Sequence, residues 1–128
     1  MVENTCVLIP TLNEESSIQA LVEFFDFNGL QVIVIDDNSS DMTRELAFNA
    51  GAFVIHNQDR KGLNYCLWQG FNLAIENNFD YVVTIDAGNS HDPNQAFSML
   101  KLMDNADLVI GSRFLPFSHY DNEKGKFY

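Results

Sequence analysis

Basic residues are scarce in this chain: 7 lysines and arginines stand against 18 acids, for a formal net charge of -11. That argues against a nucleic-acid partner, because binding a phosphate backbone needs a basic face that displaces counterions. An anionic ligand would need a metal ion or a few local cations to offset the acid. Cysteine is rare too. Cys6 and Cys66 each lie in an apolar pattern and form no C-x-x-C pair, so both are expected as buried free thiols in a cytoplasmic protein. No stretch approaches the ~18 apolar residues of a membrane span. Residues 1–5 enter the first strand at once, with no signal-peptide pattern. The expected location is cytoplasmic, at most peripheral at a membrane. Glycine-rich phosphate motifs are missing as well: no G-x-G-x-x-G follows the first strand and no G-x-x-x-x-G-K-[ST] occurs. Dinucleotide dehydrogenases and P-loop enzymes are therefore poor fits.

What is present fits one domain. The 128 residues are 46% hydrophobic and 20% charged, a globular composition. Apolar runs alternate with helical patterns. Cys6-Val7-Leu8-Ile9 reads as a strand closed by Pro10. Ile18, Leu21, Val22 and Phe25 then repeat at helical spacing, and Asn28-Gly29 ends that helix. Val32–Ile35 is a second strand, and a short helix from Met42 to Ala50 runs to Gly51. Ala52–Ile55 is a third strand. The strongest helix pattern follows, with Leu63, Cys66, Leu67, Gly70, Phe71, Ala74 and Ile75 on one face. Tyr81–Ile85 is a fourth strand, Asp92-Pro93 starts a last helix, and Leu108–Ile110 reads as a fifth strand. Strands of this kind separated by helices predict a three-layer α/β/α fold with a mostly parallel sheet. Residues 1–114 are expected to form the domain and 115–128 a loop or tail.

Polar residues collect after four of these strands: Thr11, Asn13 and Glu14; Asp36, Asp37, Asn38 and Ser39; Asp86, Asn89, Ser90 and His91; Ser112 and Arg113. In an open parallel sheet those carboxyl ends share one edge, and ligands bind there. Single clusters have plainer readings. Asn38–Asp41 could be a turn and helix cap, Glu14 and Asp37 could cap helices, Arg113 could pair with a surface acid, and His91 fits a turn-orienting role better than that of a base. Trp68 reads as partly buried packing. Four coincident clusters favour a site.

The segments Val7-Leu8-Ile9-Pro10-Thr11-Leu12-Asn13-Glu14, Val34-Ile35-Asp36-Asp37-Asn38-Ser39, Ile85-Asp86-Ala87-Gly88-Asn89-Ser90-His91-Asp92-Pro93 and Gly111-Ser112-Arg113-Phe114 together resemble the family-2 glycosyltransferases. The nearest branch is the dolichyl-phosphate mannosyltransferase-like group. The resemblance implies a Rossmann-like nucleotide-diphospho-sugar transferase fold of the A type, cut to its donor-binding half. It implies a GDP- or UDP-sugar donor, a divalent cation (Mg²⁺ or Mn²⁺), and inverting transfer to an acceptor such as a polyprenyl phosphate. Carried over by residue, Pro10, Leu12 and Glu14 would line the base and ribose pocket, with Ile35 and Asp37 beside the base. Asp86 would hold metal and diphosphate, with Ala87 and Gly88 beside it, and Arg113 would neutralise phosphate. Arg60-Lys61-Gly62 matches a basic loop that runs into a helix. Asp86 and Arg113 are the residues expected to act in catalysis.

The chain departs from that family in three ways. Leu12 stands where an aromatic residue often stacks on the base. Gly88 replaces the second carboxylate of an Asp-x-Asp pair, which predicts weaker metal binding, although magnesium needs few protein ligands. The chain also ends soon after the Gly-Ser-Arg-Phe motif, without an acceptor half. The alternative to an enzyme is a silent sugar-nucleotide-binding module that needs a protein partner. A nucleotidyltransferase fits less well, since no glycine-rich basic loop follows the first strand.

Overall fold

The computed structural model describes residues 4–112. Four strands, β1 (Thr5–Thr11), β2 (Gln31–Asp36), β3 (Phe53–His56) and β4 (Tyr81–Thr84), form one sheet in the order β3-β2-β1-β4. Every ladder is parallel, with Val7 opposite Val32, Ile9 opposite Val34 and Val7 opposite Val83. Three helices connect them, α1 (Ile18–Phe27), α2 (Thr43–Asn49) and α3 (Leu63–Glu76), and a fourth, α4 (Gln95–Leu102), follows β4 and ends in a 3₁₀ turn at Met103–Asn105.

The period-2 alternation of β1 and β2 divides the core in two. Val7, Ile9, Val32 and Val34 point to one face, where Ile18, Val22 and Phe25 of α1, Ala47 of α2 and Ala96 of α4 cover them. Cys6, Leu8, Ile33 and Ile35 point to the other and meet Cys66 and Ala74 of α3. Both faces of the central strands are thus sealed, which is why they read as continuous apolar runs. Cys6 and Cys66 are free and buried, and burial pushes each thiol up to about 11.

Three local expectations need correction. Pro10 does not close the first strand but lies inside it. The Leu8 carbonyl accepts from Ile85 on the β4 side, whereas Thr11 accepts from Asp37 on the β2 side. Residue 10 therefore faces the β4 side, where the β1–β4 ladder has already ended at Leu8, and its missing N–H costs no ladder bond. The stripe on α3 is narrower than its periodicity suggests. Only Cys66, Gly70 and Ala74 are buried, while Leu63, Phe71 and Ile75 stay exposed. Trp68 is also exposed, at 59%, with its ring 5.5 Å from that of Tyr65. Finally, Leu108–Ile110 forms no strand among the described residues, and Leu108 and Ile110 are each 73% exposed. β4 has four residues and pairs with β1 alone, so among the described residues this apolar triplet has neither a ladder nor a covering layer to hold it extended. The expected tail, 115–128, lies outside the described residues.

Candidate functional site

The chain winds from β1 through β2 to β3 and then returns to place β4 on the other side of β1. The direction of winding reverses between β1 and β4, and the crevice at their carboxyl ends is where ligands bind in such sheets. The β1 end supplies Leu12-Asn13-Glu14 to this crevice and the β4 end supplies Asp86-Ala87-Gly88.

Side-chain bonds to the loop after β2 fix the loop after β1. The Asn13 N–H donates to Ser39 Oγ (2.9 Å), and Asn13 Oδ1 accepts from the Ser40 N–H (2.8 Å). The Glu14 N–H donates to Thr43 Oγ1 at 2.8 Å, and Thr43 is fully buried. Glu15 and residues 41–42 exchange bonds in both directions: the Glu15 N–H donates to Asp41, and the Met42 N–H donates to Glu15. Asn13 and Asn38 adopt left-handed backbone (φ 53° and 68°), which asparagine tolerates better than most residues. The turn-and-cap reading of Asn38–Asp41 therefore holds in part. Burial works against ionisation of Asp41, but the hydroxyl and N–H of Thr43 and the N–H of Glu15 outweigh it and hold the carboxyl below its ordinary range.

Asp37 organises a second loop. Its Oδ1 accepts from the Lys61 N–H (2.7 Å) and Asn57 Nδ2 (3.2 Å), and its Oδ2 accepts from the Gly62 N–H (2.9 Å). Asn57 also exchanges two amide bonds with Gln69 of α3, at 2.9 and 2.8 Å. Gly62, with φ 92° and ψ 163°, occupies backbone space that is essentially open only to glycine. Burial alone would raise the Asp37 carboxyl, yet the N–H groups of Lys61 and Gly62 and the Asn57 amide prevail and lower it. Two N–H groups of the Arg60-Lys61-Gly62 loop are thus already engaged, while Lys61 Nζ lies 6.0 Å over the Tyr65 ring. Asp36 sits behind the site. It is fully buried, with Oδ2 facing Ser39 N–H (3.2 Å), His56 (3.1 Å) and Arg44 (3.8 Å). Its Oδ1 has no partner among the described residues. An open groove of about 370 Å³ lined by Arg44, Phe48, Val54 and His56 borders β3 on the far side of the sheet from the β1–β4 crevice.

Across the crevice, the Asp86 side chain is 57% exposed. Its N–H donates to Nδ1 of His91 (3.1 Å), so the neutral ring carries its proton on Nε2, which lies 3.8 Å from Asp86 Oδ2. His91 therefore orients the turn. Ser17, at the start of α1, donates its hydroxyl to the Ala87 carbonyl and so ties the two lips together. Gly88 faces Glu14: a Cβ on Gly88 would lie 3.4 Å from Glu14 Oε1 and 3.9 Å from its carboxyl carbon. Among the described residues, no three His, Cys, Asp or Glu side chains converge into a ready cage for a metal. The donors present still suit a hard divalent cation, because magnesium is commonly held by one or two carboxylates together with substrate phosphates and water.

Glu14, Asp86, Ala87 and Gly88 thus meet at one crevice, with Pro10 and Leu12 on the strand and loop leading into it. Asp37 and Lys61 join in the neighbouring loop. The Ile35 side chain is not on the ligand edge: it is fully buried beneath α3, and only its carbonyl, which accepts from Thr11 Oγ1 at 3.3 Å, faces that way. Arg113 lies outside the described residues. Reading the sequence missed Ser17, Thr43, Asn57 and Gln69. Of these, Asn57 could have been found, since it follows β3 just as the other candidates follow their strands. The rest bond to partners 12 to 70 positions away, with no spacing to betray them.

Comparison with known proteins agrees with this geometry. The chain is 32% identical to the polyprenol monophosphomannose synthase of Mycolicibacterium smegmatis, covering 89% of this chain and 46% of that protein. It is 36% identical to the undecaprenyl-phosphate mannosyltransferase of Micrococcus luteus, covering 85% of this chain and 48% of the relative. It thus spans less than half the length of either. Among solved structures, it superposes with a TM-score of 0.66 on glucosyl-3-phosphoglycerate synthase from Mycobacterium tuberculosis in complex with Mn²⁺, UDP and glucosyl-3-phosphoglycerate. That match is 27% identical and covers 80% of this chain and 40% of the other. The same enzyme has been solved with Mg²⁺ and UDP. The α/β/α fold with a parallel sheet is thus the A-type glycosyltransferase arrangement that the motifs implied. The family model "Glycosyl transferase family 2" matches residues 6–126, across the sheet, the crevice and all four motifs, and this chain belongs to that family.

Proposed function

We propose that this chain binds a nucleotide-diphosphate sugar in the β1–β4 crevice and serves as the donor side of an inverting glycosyltransferase. The observation that carries this reading is the meeting of Glu14 and the Asp86–Gly88 loop at the switch point, beside the loop that Asp37 anchors. In the proposed reaction an acceptor oxygen attacks the anomeric carbon. The bond from that carbon to the diphosphate oxygen breaks, its electron pair stays on the leaving nucleoside diphosphate, and the configuration inverts. A phosphate acceptor such as a polyprenyl phosphate is already a nucleophile and needs no base from the protein. Asp86 would hold the divalent cation, which when bound offsets the charge gathering on the diphosphate. Ser17 keeps the Asp86 loop against α1, and Arg113 is assigned the remaining phosphate charge.

A second reading has specific support. Gly88 leaves the Asp86 loop without a second carboxylate, which favours a donor-binding module that does not itself carry out transfer. One experiment with two arms separates them. Calorimetric titration with GDP-mannose and UDP-glucose, with Mn²⁺, Mg²⁺ or EDTA, should show binding of at least one donor, strengthened by metal. No binding of either would overturn both readings. Incubation of the bound donor with a polyprenyl phosphate should yield sugar-lipid if the chain is an enzyme, and none if it is a module.

A further inference from the structure

Gly88 lies beside Glu14. The three heavy atoms nearest to a Cβ built on this glycine all belong to Glu14, with Oε1 at 3.4 Å and Cδ and Oε2 at 3.9 Å. The carboxyl carbon of an aspartate stands one bond, about 1.5 Å, beyond its Cβ. A carboxylate at position 88 would therefore stand beside that of Glu14, and without a cation between them the two would repel. We propose that Glu14 supplies the carboxylate that position 88 lacks, so that the donor-site cation is held from opposite lips of the crevice by Glu14 and Asp86.

Glu14 is placed to do this. Its N–H is bound by Thr43, and its carbonyl accepts from the N–H groups of Ser17 (3.1 Å) and Ile18 (2.9 Å), so its backbone is fixed at the entry to α1. Its carboxylate is not committed elsewhere. Its only hydrogen-bond contact among the described residues is from Ser17 Oγ at 3.5 Å, and that hydroxyl's single proton is given to the Ala87 carbonyl; no Lys, Arg or His pairs with the carboxylate there. Ser17 also binds the Ala87 carbonyl, and so sets how far the Asp86 loop stands from the Glu14 helix entry. Two carboxylates from separate elements, completed by diphosphate oxygens and water, make the all-oxygen set that Mg²⁺ and Mn²⁺ prefer. On this view Glu14 is a metal ligand rather than a ribose contact, and the Asp-x-Gly sequence is a relocated pair rather than a broken one.

The inference rests on the donor-site reading and is tested apart from it. The measured quantity is the gain in UDP affinity on replacing EDTA with Mn²⁺, with bound Mn²⁺ counted independently by electron paramagnetic resonance. In the unaltered chain both should be present. Glu14→Gln should cut the Mn²⁺-dependent gain about tenfold or more, at least the loss that even outer-shell changes cause at metal sites. Adding Gly88→Asp to Glu14→Gln should restore it. Gly88→Asp alone, which keeps Glu14, should lower the melting temperature of the metal-free protein and recover it when Mn²⁺ and UDP are added. A Glu14→Gln variant with the gain intact would overturn the proposal, as would a Gly88→Asp variant that Mn²⁺ and UDP do not rescue. If the unaltered chain binds UDP with no Mn²⁺ dependence, this proposal and the cation role of Asp86 fail while donor binding stands. If it binds no UDP under any condition, the donor-site reading fails.

Discussion

Asp37 shows how one carboxylate can organise a loop in place of side-chain packing. It accepts two backbone N–H groups and an amide, all from residues that follow β3. Bonds to an ionised group contribute about 1.5–3 kcal/mol each, and an asparagine would turn an NH₂ toward one of the donors. Asp37→Asn should therefore cost about 2 kcal/mol near neutral pH. The pH dependence follows from the sign of the shift. The carboxyl titrates below its ordinary value of 3.8 in the folded state, so its contribution is complete above that value and is lost as pH falls through the lower folded one. Urea denaturation from pH 7 down to pH 2.5 should show the gap between the two proteins shrinking only at the acid end. A constant gap would mean that the charge of Asp37 does not hold the loop.

Among the elements, α3 departs most from its sequence pattern. Periodicity marks which side chains are apolar; the approach distance decides which of them are covered. That distance is set at Gly70, where an added Cβ would lie 2.2 Å and 2.4 Å from the two methyl carbons of fully buried Leu8. The helix lies so close that only its smallest residues, Cys66, Gly70 and Ala74, are fully buried against the sheet, with Leu67 and Leu73 partly covered beside them. Gly70→Ala should therefore destabilise by about 1–3 kcal/mol, although alanine is the better helix former. Chemical denaturation reads this directly, and a neutral or stabilising result would show that α3 can move outward freely. α1 behaves as its pattern says, because Ile18, Val22 and Phe25 meet β-branched residues with room for large side chains.

At the scale of the molecule, close packing of α3 leaves a flank of large apolar side chains, Trp68, Phe71 and Ile75, in water. Trp68 is the only tryptophan, so it reports on that flank without ambiguity. Its fluorescence should be red-shifted and readily quenched by iodide. A blue-shifted emission that iodide does not reach would show that the flank is covered in solution.

The alternation of strand and helix, the parallel sheet and the gathering of polar residues at one edge of it were all legible in the residues, because each follows from local periodicity and from the polar residues that close each strand. The place of Glu14 was not. Its contact with Gly88 spans 74 positions and exists only because β4 returns beside β1. Nor could a one-dimensional pattern tell that Ile35 faces the core, that Leu108–Ile110 finds no ladder, or that residue 10 looks toward the side its neighbour has left. What the amino-acid order determined by itself was the set of elements and the family to which their motifs belong, since propensity and hydrophobic period act over a few residues. Which carboxylates face one another, and which apolar side chains are left in water, only the tertiary structure decided, because those depend on how closely elements far apart in the chain approach.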